Sequence, residues 1–257
     1  LAAPLAIDTM AEVLDLEGVD PGELLAWYEA IVDSVHAITG GDHVPPTGTA
    51  AFRSLHQAVE HSLGHSRMLT SVADEGRLTV DEIVSNVAVL LFGGIVTSES
   101  TTALALQFLL EDARTREDVI ADRSLVANAV EEALRLEPSA AVVDRYATAT
   151  VRLGDAEIAP GELVRVSLAG ANRDPTVFAA PDRFDVRRPR ATQHVAFARG
   201  PHTCLGIHLA RLESVAAVHA VLDLLPGVQL DPGCYEPPSG LVFRAPKTVE
   251  AVWKVAR

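Results

Sequence analysis

Phe197-Ala198-Arg199-Gly200-Pro201-His202-Thr203-Cys204-Leu205-Gly206-Ile207-His208-Leu209-Ala210-Arg211 carries the densest chemistry of this 257-residue chain. A single cysteine stands in a loop just before a long helical pattern, with Gly200 four residues before it and Gly206 two after. A helix start offers free N–H groups and partial positive charge, and both favour a thiolate over a thiol. The glycines let the backbone approach something flat and bulky. Three readings compete. The commonest is a buried Cys at a helix start. The second is a zinc site from His202, Cys204 and His208, although that spacing fits no closed tetrahedral pattern and no second Cys pair is near. The third is a thiolate axial ligand to haem iron.

Outward from this loop, Leu205 to Leu225 reads as a strong helix ended by Pro226, and residues 226–257 as Pro/Gly turns and short strands. Residues 171–203 are irregular, with five Pro or Gly breaks. The Val- and Thr-rich segments from Val142 to Leu168, with Ala159-Pro160-Gly161-Glu162 as a turn, predict β-strands. Leu125 to Leu136 predicts a helix stopped by Pro138. Thr79-Val80-Asp81-Glu82 is a capping box, and the helix it opens is expected to reach about Asp112, about 45 Å at 1.5 Å per residue. Its middle, Ile83 to Val96, is apolar nearly all round, which predicts burial. Gly93-Gly94 and Thr97 interrupt it, at roughly 1 kcal/mol per Gly. Close helix packing and a large group pressed against the helix explain this equally well. Residues 1–38 read as acidic-faced helices, with a start at Asp20-Pro21-Gly22-Glu23; residues 39–49 read as a loop and Ala50 to Thr70 as a further helix. The pattern is a mainly helical fold with a small β region, in a single domain over residues 1–257.

The apolar residues, 48% of the chain, suffice for a core and exclude disorder. Two Cys exclude a disulfide scaffold and fit a reducing compartment. A net charge of −14, of which −12 falls in residues 1–100, argues against nucleic-acid binding. The first basic residue is Arg53, so no secretory or transit signal is expected, and the longest apolar run in mid-chain, about ten residues, is half a membrane span. These features predict a cytoplasmic protein without a membrane partner. Leu1 in place of Met suggests a processed, trimmed or partial product. His61 and His65 are spaced i,i+4 but lack a zincin Glu between them, so a solvated helix face is expected there. Cys234, between Gly233 and Tyr235, reads as structural.

The Phe197–Gly206 string resembles the haem-binding signature of the cytochrome P450 family, with one change, Ala198 where Gly is usual. The resemblance implies Cys204 as iron ligand, His202 as a partner of a haem propionate, Phe197 packed by the sulfur, and Gly200 and Gly206 giving close approach. Glu132-Ala133-Leu134-Arg135 resembles the family's Glu-x-x-Arg, and Pro181-Asp182-Arg183-Phe184 the segment whose Arg joins that pair. A structural Glu132–Arg135–Arg183 cluster is therefore implied, with an ordinary i,i+3 ion pair as the plain alternative. Arg145 matches a second propionate position. Gly93-Gly94-Ile95-Val96-Thr97 resembles the family's oxygen-binding kink, which implies Gly93 making room for haem and Thr97 assisting proton delivery. Val96 stands where that pattern has an acid, and Glu99 would replace it only through a distortion of the helix. The resemblance runs along nearly the whole chain but corresponds to the later two-thirds of a usual member, so a P450 fold lacking its N-terminal third is expected.

By the same resemblance the chain is expected to be a bacterial, soluble haem b monooxygenase of secondary-metabolism type, hydroxylating or epoxidising an apolar small molecule with electrons from ferredoxin and ferredoxin reductase. Arg187, Arg188, Arg190, Arg199 and Arg211 form a candidate docking patch for the acidic donor. Phe92, Ile95, Val96, Ala141, Val142, Val143, Leu241 and Val242 are candidate pocket residues. Val96 keeps alive a peroxygenase, dehydratase or isomerase; the incomplete family length keeps alive a non-catalytic partner protein.

Overall fold

The structure, a computed structural model, describes residues 1–40 and 42–254. Gly41, in the predicted loop, and Val255–Arg257, at the end of the predicted strand region, lie outside the described residues. The chain divides into two compact units, Leu1–Glu99 and Ser100–Arg257.

The first unit is helical: α1 (Ala2–Leu14), α2 (Pro21–Gly40), α3 (Pro46–Ser62), α4 (Arg67–Asp74) and the first twenty residues of α5 (Val80–Glu111). Asp15 closes α1 in the left-handed conformation. Asp20 and Glu23 cap α2 reciprocally: the Glu23 N–H donates to Asp20 Oδ1 at 3.0 Å, and the Asp20 N–H to Glu23 Oε2 at 3.4 Å. The predicted Ala50–Thr70 helix is two helices. The first begins earlier, at Pro46, whose ring presets φ where no N–H is needed. It stops at Ser62, and Ser66 starts α4 by accepting the Leu69 N–H at 3.3 Å while donating to the Leu14 carbonyl at 3.1 Å. The Thr79–Glu82 box forms as expected, with the Thr79 N–H on Glu82 Oε2 at 2.7 Å and the Glu82 N–H on Thr79 Oγ1 at 3.3 Å. Ile7, Met10, Leu14, Leu55, Val59, Val87 and Leu91 are among the residues that make this unit's core.

The second unit holds the end of α5, α6 (Ala113–Ala121), α7 (Leu125–Leu136), four strands, the short α8 (Leu168–Ala171), α9 (Ile207–Leu224) and a last strand pair. Helix α6 was not foreseen; Asp112 caps it by accepting the Thr115 N–H at 2.7 Å. Strands β1 (Val142–Tyr146) and β4 (Leu163–Ser167) pair antiparallel with Val142 opposite Ser167, and β2 (Val151–Leu153) and β3 (Ala156–Ile158) form a hairpin across Gly154. Strands β5 (Gln229–Leu230) and β6 (Ala251–Val252) form a third pair. Residues of α5, α7 and α9, among them Leu109, Val130 and Val218, make the core. Among the described residues α5 is the one helix long and apolar enough to cross a bilayer by length and composition. Its Ile83, Val84 and Val87 lie in the first unit's core and its Leu106, Leu109 and Leu110 in the second's.

Candidate functional site

Helix α9 begins at Ile207, two residues later than expected, with Gly206 as its N-cap. The Cys204 loop ahead of it is held by its own backbone. The Cys204 N–H donates to the Phe197 carbonyl at 2.9 Å, Ala198 N–H to Val195 at 2.9 Å and Thr203 N–H to Gly200 at 3.1 Å. Gly200 has φ +82°, which glycine alone adopts freely. Ala198 is also left-handed, at φ 56°, so an L-residue bears strain where the family pattern has Gly. Ala198→Gly is therefore expected to stabilise the fold by about 0.5–1 kcal/mol, the relief of strain less the added chain entropy. A rise of about 1–2 °C in the thermal midpoint would register it, and a fall would contradict it.

Cys204 is exposed. A Cβ on Gly206 would stand 3.9 Å from its sulfur, an ordinary contact, so the missing side chain leaves room beside the thiol. Phe197 is half-buried and packs on the second unit's core. His202 is exposed, as is Arg145 on β1, whose guanidinium donates to the Asp144 carbonyl at 2.8 Å. Among the described residues neither is in an ion pair. The exposed Cys204 thiol and the open glycine positions beside it leave room for a flat, metal-centred group that takes a sulfur ligand, and a haem fits that donor. No three His, Cys, Asp or Glu side chains among the described residues are arranged to hold a metal ion directly, so the zinc reading of His202, Cys204 and His208 falls. His61 and His65 face Glu17 at 3.6 and 3.0 Å as exposed ion pairs. Cys234 is exposed in a turn, and the charge of Asp231 raises its thiol.

Two adjacent carboxylates on α7 organise the chain leading to this loop. Glu132, fully buried, takes a bidentate pair from buried Arg135 at 2.7 and 2.9 Å. The expected third member, Arg183, is corrected. Its side chain is exposed and only its carbonyl joins, accepting from Arg135 at 3.2 Å. Arg188 supplies the second guanidinium, 2.7 Å from Glu132 Oε1. The reason is the path of the backbone. Ala180 is left-handed, and the Asp185 N–H docks on Glu132 at 3.1 Å, so the turn after Asp185 swings Arg188 inward. Arg188 also binds the carbonyls of Ala180 and Arg183, at 3.1 and 2.8 Å.

Sequence reasoning passes over Glu131. It is buried and accepts from Arg211 at 2.5 and 2.9 Å and faces His194 Nε2 at 3.1 Å. Burial works to raise its carboxyl, but the hydrogen bonds from His194 and Arg211 outweigh it and hold the carboxyl down at about 2, against an ordinary 4.5. A depressed folded-state value means stability that is complete above pH 4.5 and lost as pH falls towards 2. The loss is expected to be about 2 kcal/mol, discounted for solvent reaching Arg211. Denaturant titrations of the wild type and Glu131→Gln across that range would check it: the wild type alone should lose this increment. The candidate docking patch shrinks accordingly, since Arg188 and Arg211 are spent on these carboxylates. Arg187, Arg190 and Arg199 remain exposed.

In the first unit α5 is continuous through Gly93-Gly94. A Cβ on Gly94 would meet Met10 Sδ at 2.5 Å, so this glycine serves close packing with α1. A Cβ on Gly93 would meet nothing within 4 Å. Close packing thus holds for Gly94, and Gly93 faces open space. The Thr97 hydroxyl donates to the Gly93 carbonyl at 2.5 Å, which places both on one face. Glu99 is corrected. The helix has no distortion to bring it round, and two residues on it stands about 200° from Thr97. Burial raises its carboxyl, and its charge, after burial itself, helps push the Tyr28 hydroxyl on α2 up to about 12. Ile95 is likewise corrected from pocket to core, at 2% exposure. Phe92 and Val96 are half-buried against the same core. In the second unit Ala141 is buried and its N–H donates to the Val242 carbonyl at 2.8 Å, while Leu241 and Val242 are exposed and Val142 and Val143 half-buried.

The family model for cytochrome P450 matches residues 57–226. Cytochrome P450 107B1 of Saccharopolyspora erythraea is 32% identical over 240 residues, 89% of this chain and 57% of the relative. The cytochrome P450 monooxygenase PikC of Streptomyces venezuelae is 34% identical over 235 residues, 90% of this chain and 56% of the relative. Among solved structures, P450BioI in complex with an acyl carrier protein ligated to hexadec-9Z-enoic acid superposes with a TM-score of 0.88 at 26% identity, over 99% of this chain and 67% of that one. The chain thus spans little more than half the length of the curated relatives it matches.

Proposed function

Because the chain belongs to the cytochrome P450 family, we propose that Cys204 is the axial thiolate of a haem b and that the protein is a cytoplasmic monooxygenase acting on an apolar small molecule. Electrons come from a ferredoxin and its reductase. The observation that carries this reading is the preformed Cys204 loop, an exposed thiol at the head of α9 with Phe197, Gly200 and Gly206 in place around it. When bound, the haem supplies the activation of O2 that hydroxylation or epoxidation requires.

The chain's own residues hold, orient and move protons. Cys204 offers its sulfur just ahead of a helix start. The His202 ring and the Arg145 guanidinium offer hydrogen-bond donors for carboxylate side groups. Gly93 leaves open space on α5, and the Thr97 hydroxyl beside it is the proton-handling group. Val96 cannot feed that hydroxyl a proton, and Glu99 lies about 200° away round the helix. This favours one second reading, a peroxygenase, in which peroxide replaces O2 and electrons.

Titration of the purified chain with haem tests the assignment. One haem per chain is expected for the wild type. His202→Ala and Arg145→Ala should each release haem about tenfold faster, the cost of one charge-assisted hydrogen bond, without changing its ligation. Unchanged release from both variants would sink the roles given to these two side chains.

A further inference from the structure

The described contacts of Glu131 run towards the Cys204 loop, and the proposed function makes no use of them. Its neighbour Glu132 points about 100° away around α7 and serves Arg135 and Arg188. Glu131 has its own set, in two arms. Arg211, one helical stretch beyond Cys204, donates from Nε and Nη2 to both carboxylate oxygens. His194, on the approach to the loop, meets Oε2 through Nε2. The Ala196 N–H lies 3.1 Å from His194 Nδ1. Nδ1 is therefore the acceptor, and Nε2 is the nitrogen that donates its hydrogen to Glu131. Arg211 supplies the bidentate guanidinium of the pair, and the His194 arm adds direction.

Both arms end on Phe197. The Arg211 guanidinium stands over its ring, 5.0 Å from the centroid, and the His194 ring lies 6.0 Å away, tilted. The Phe197 carbonyl is the acceptor for the Cys204 N–H at 2.9 Å. A single buried carboxylate thus ties the residue before the loop, the helix after it and the aromatic ring inside it. Buried charge is costly, and mere packing would be better served by apolar side chains.

We propose that Glu131 is a positioning residue for Cys204, fixing the loop by clamping Phe197 between Arg211 and His194. The clamp itself is read from these contacts; only its consequence for ligation rests on the haem-thiolate reading.

The test is amide hydrogen exchange of the full chain, followed by mass spectrometry, for Glu131→Gln, Arg211→Gln and the double variant. Exchange in residues 195–206 is expected to quicken at least about tenfold in each single variant, with β1 and β4 unchanged. The double variant should not recover, because restoring charge balance does not restore the clamp. Recovery in the double variant would reduce Glu131 to a counter-charge and overturn the proposal, as would unaltered exchange in the loop or uniform quickening across the unit. Should Glu131→Gln not fold, Arg211→Gln, at a half-exposed position, reads the same loop against the same controls. With haem added, the single variants are also expected to show a mixture of thiolate and thiol ligation in the reduced, carbon monoxide spectrum. A wild type without the thiolate spectrum would refute the haem reading while leaving the exchange result to decide the clamp.

Discussion

Glu132→Ala is expected to yield insoluble protein, or soluble protein with no native fold. The substitution deletes the one carboxylate that pairs with Arg135, fully buried, and Arg188, 7% exposed. Both guanidiniums would keep their carbonyl partners, Asn172, Pro181 and Arg183 for the first and Ala179, Ala180 and Arg183 for the second. Among the described residues neither would keep a counter-charge. Breaking a buried pair by removing one partner costs about 3–5 kcal/mol, and here two cations are stranded by one change. A domain of ordinary stability holds about 5–15 kcal/mol in total. The Asp185 N–H would lose its acceptor as well, and with it the turn that brings Arg188 inward. Soluble expression and chemical denaturation give the reading; a Glu132→Ala protein as stable as wild type would show that the cluster carries no weight. Arg183→Ala, by contrast, should change stability by less than about 0.5 kcal/mol, because only its backbone takes part.

A second large effect is expected in the use of electrons. Val96→Asp should raise the fraction of electrons that reach product about tenfold or more, with a matching fall in hydrogen peroxide released. Positioned proton transfer contributes roughly 10²- to 10⁴-fold where it operates, and position 96 is where the family pattern carries its acid, one residue before Thr97 on an unbroken helix. Glu99→Gln should leave the fraction unchanged. Its carboxyl is on the far side of α5, and its electrostatic effect falls on Tyr28. The two variants separate the possibilities: a collapse in Glu99→Gln with no gain in Val96→Asp would place the proton donor at Glu99 after all. If neither alters the peroxide yield, protons reach the site by another path and Thr97 loses the role given to it.

Much of the second unit could be read along the chain because its signals are local. The Cys204 string and the turn at Ala159–Glu162, like the Thr79–Glu82 box of the first unit, each lie within about ten residues, and each forms as its residues require. What escaped depends on distant partners or on chain direction. Whether Arg183 or Arg188 turns inward is decided by the left-handed Ala180 and the docking of the Asp185 N–H on Glu132. Gly93 and Gly94 look alike in sequence; only the arrival of Met10 separates them. Glu131 did leave a trace, two adjacent acids in a helix that is apolar apart from them, Asn128 and Arg135, and the second acid's familiar motif hid the first. Helix α6 left the ordinary trace of Asp112 followed by Thr115. The break at Leu63–Ser66 left Gly64 and Ser66, both weak alone.

The most direct measurement is the reduced, carbon monoxide difference spectrum of the haem-loaded chain, wild type beside Cys204→Ser. A thiolate-type band is expected in the wild type and its absence in Cys204→Ser, with far-ultraviolet circular dichroism the same for both. A Cys204→Ser protein that keeps the wild-type band would contradict the assignment of Cys204 as the haem ligand.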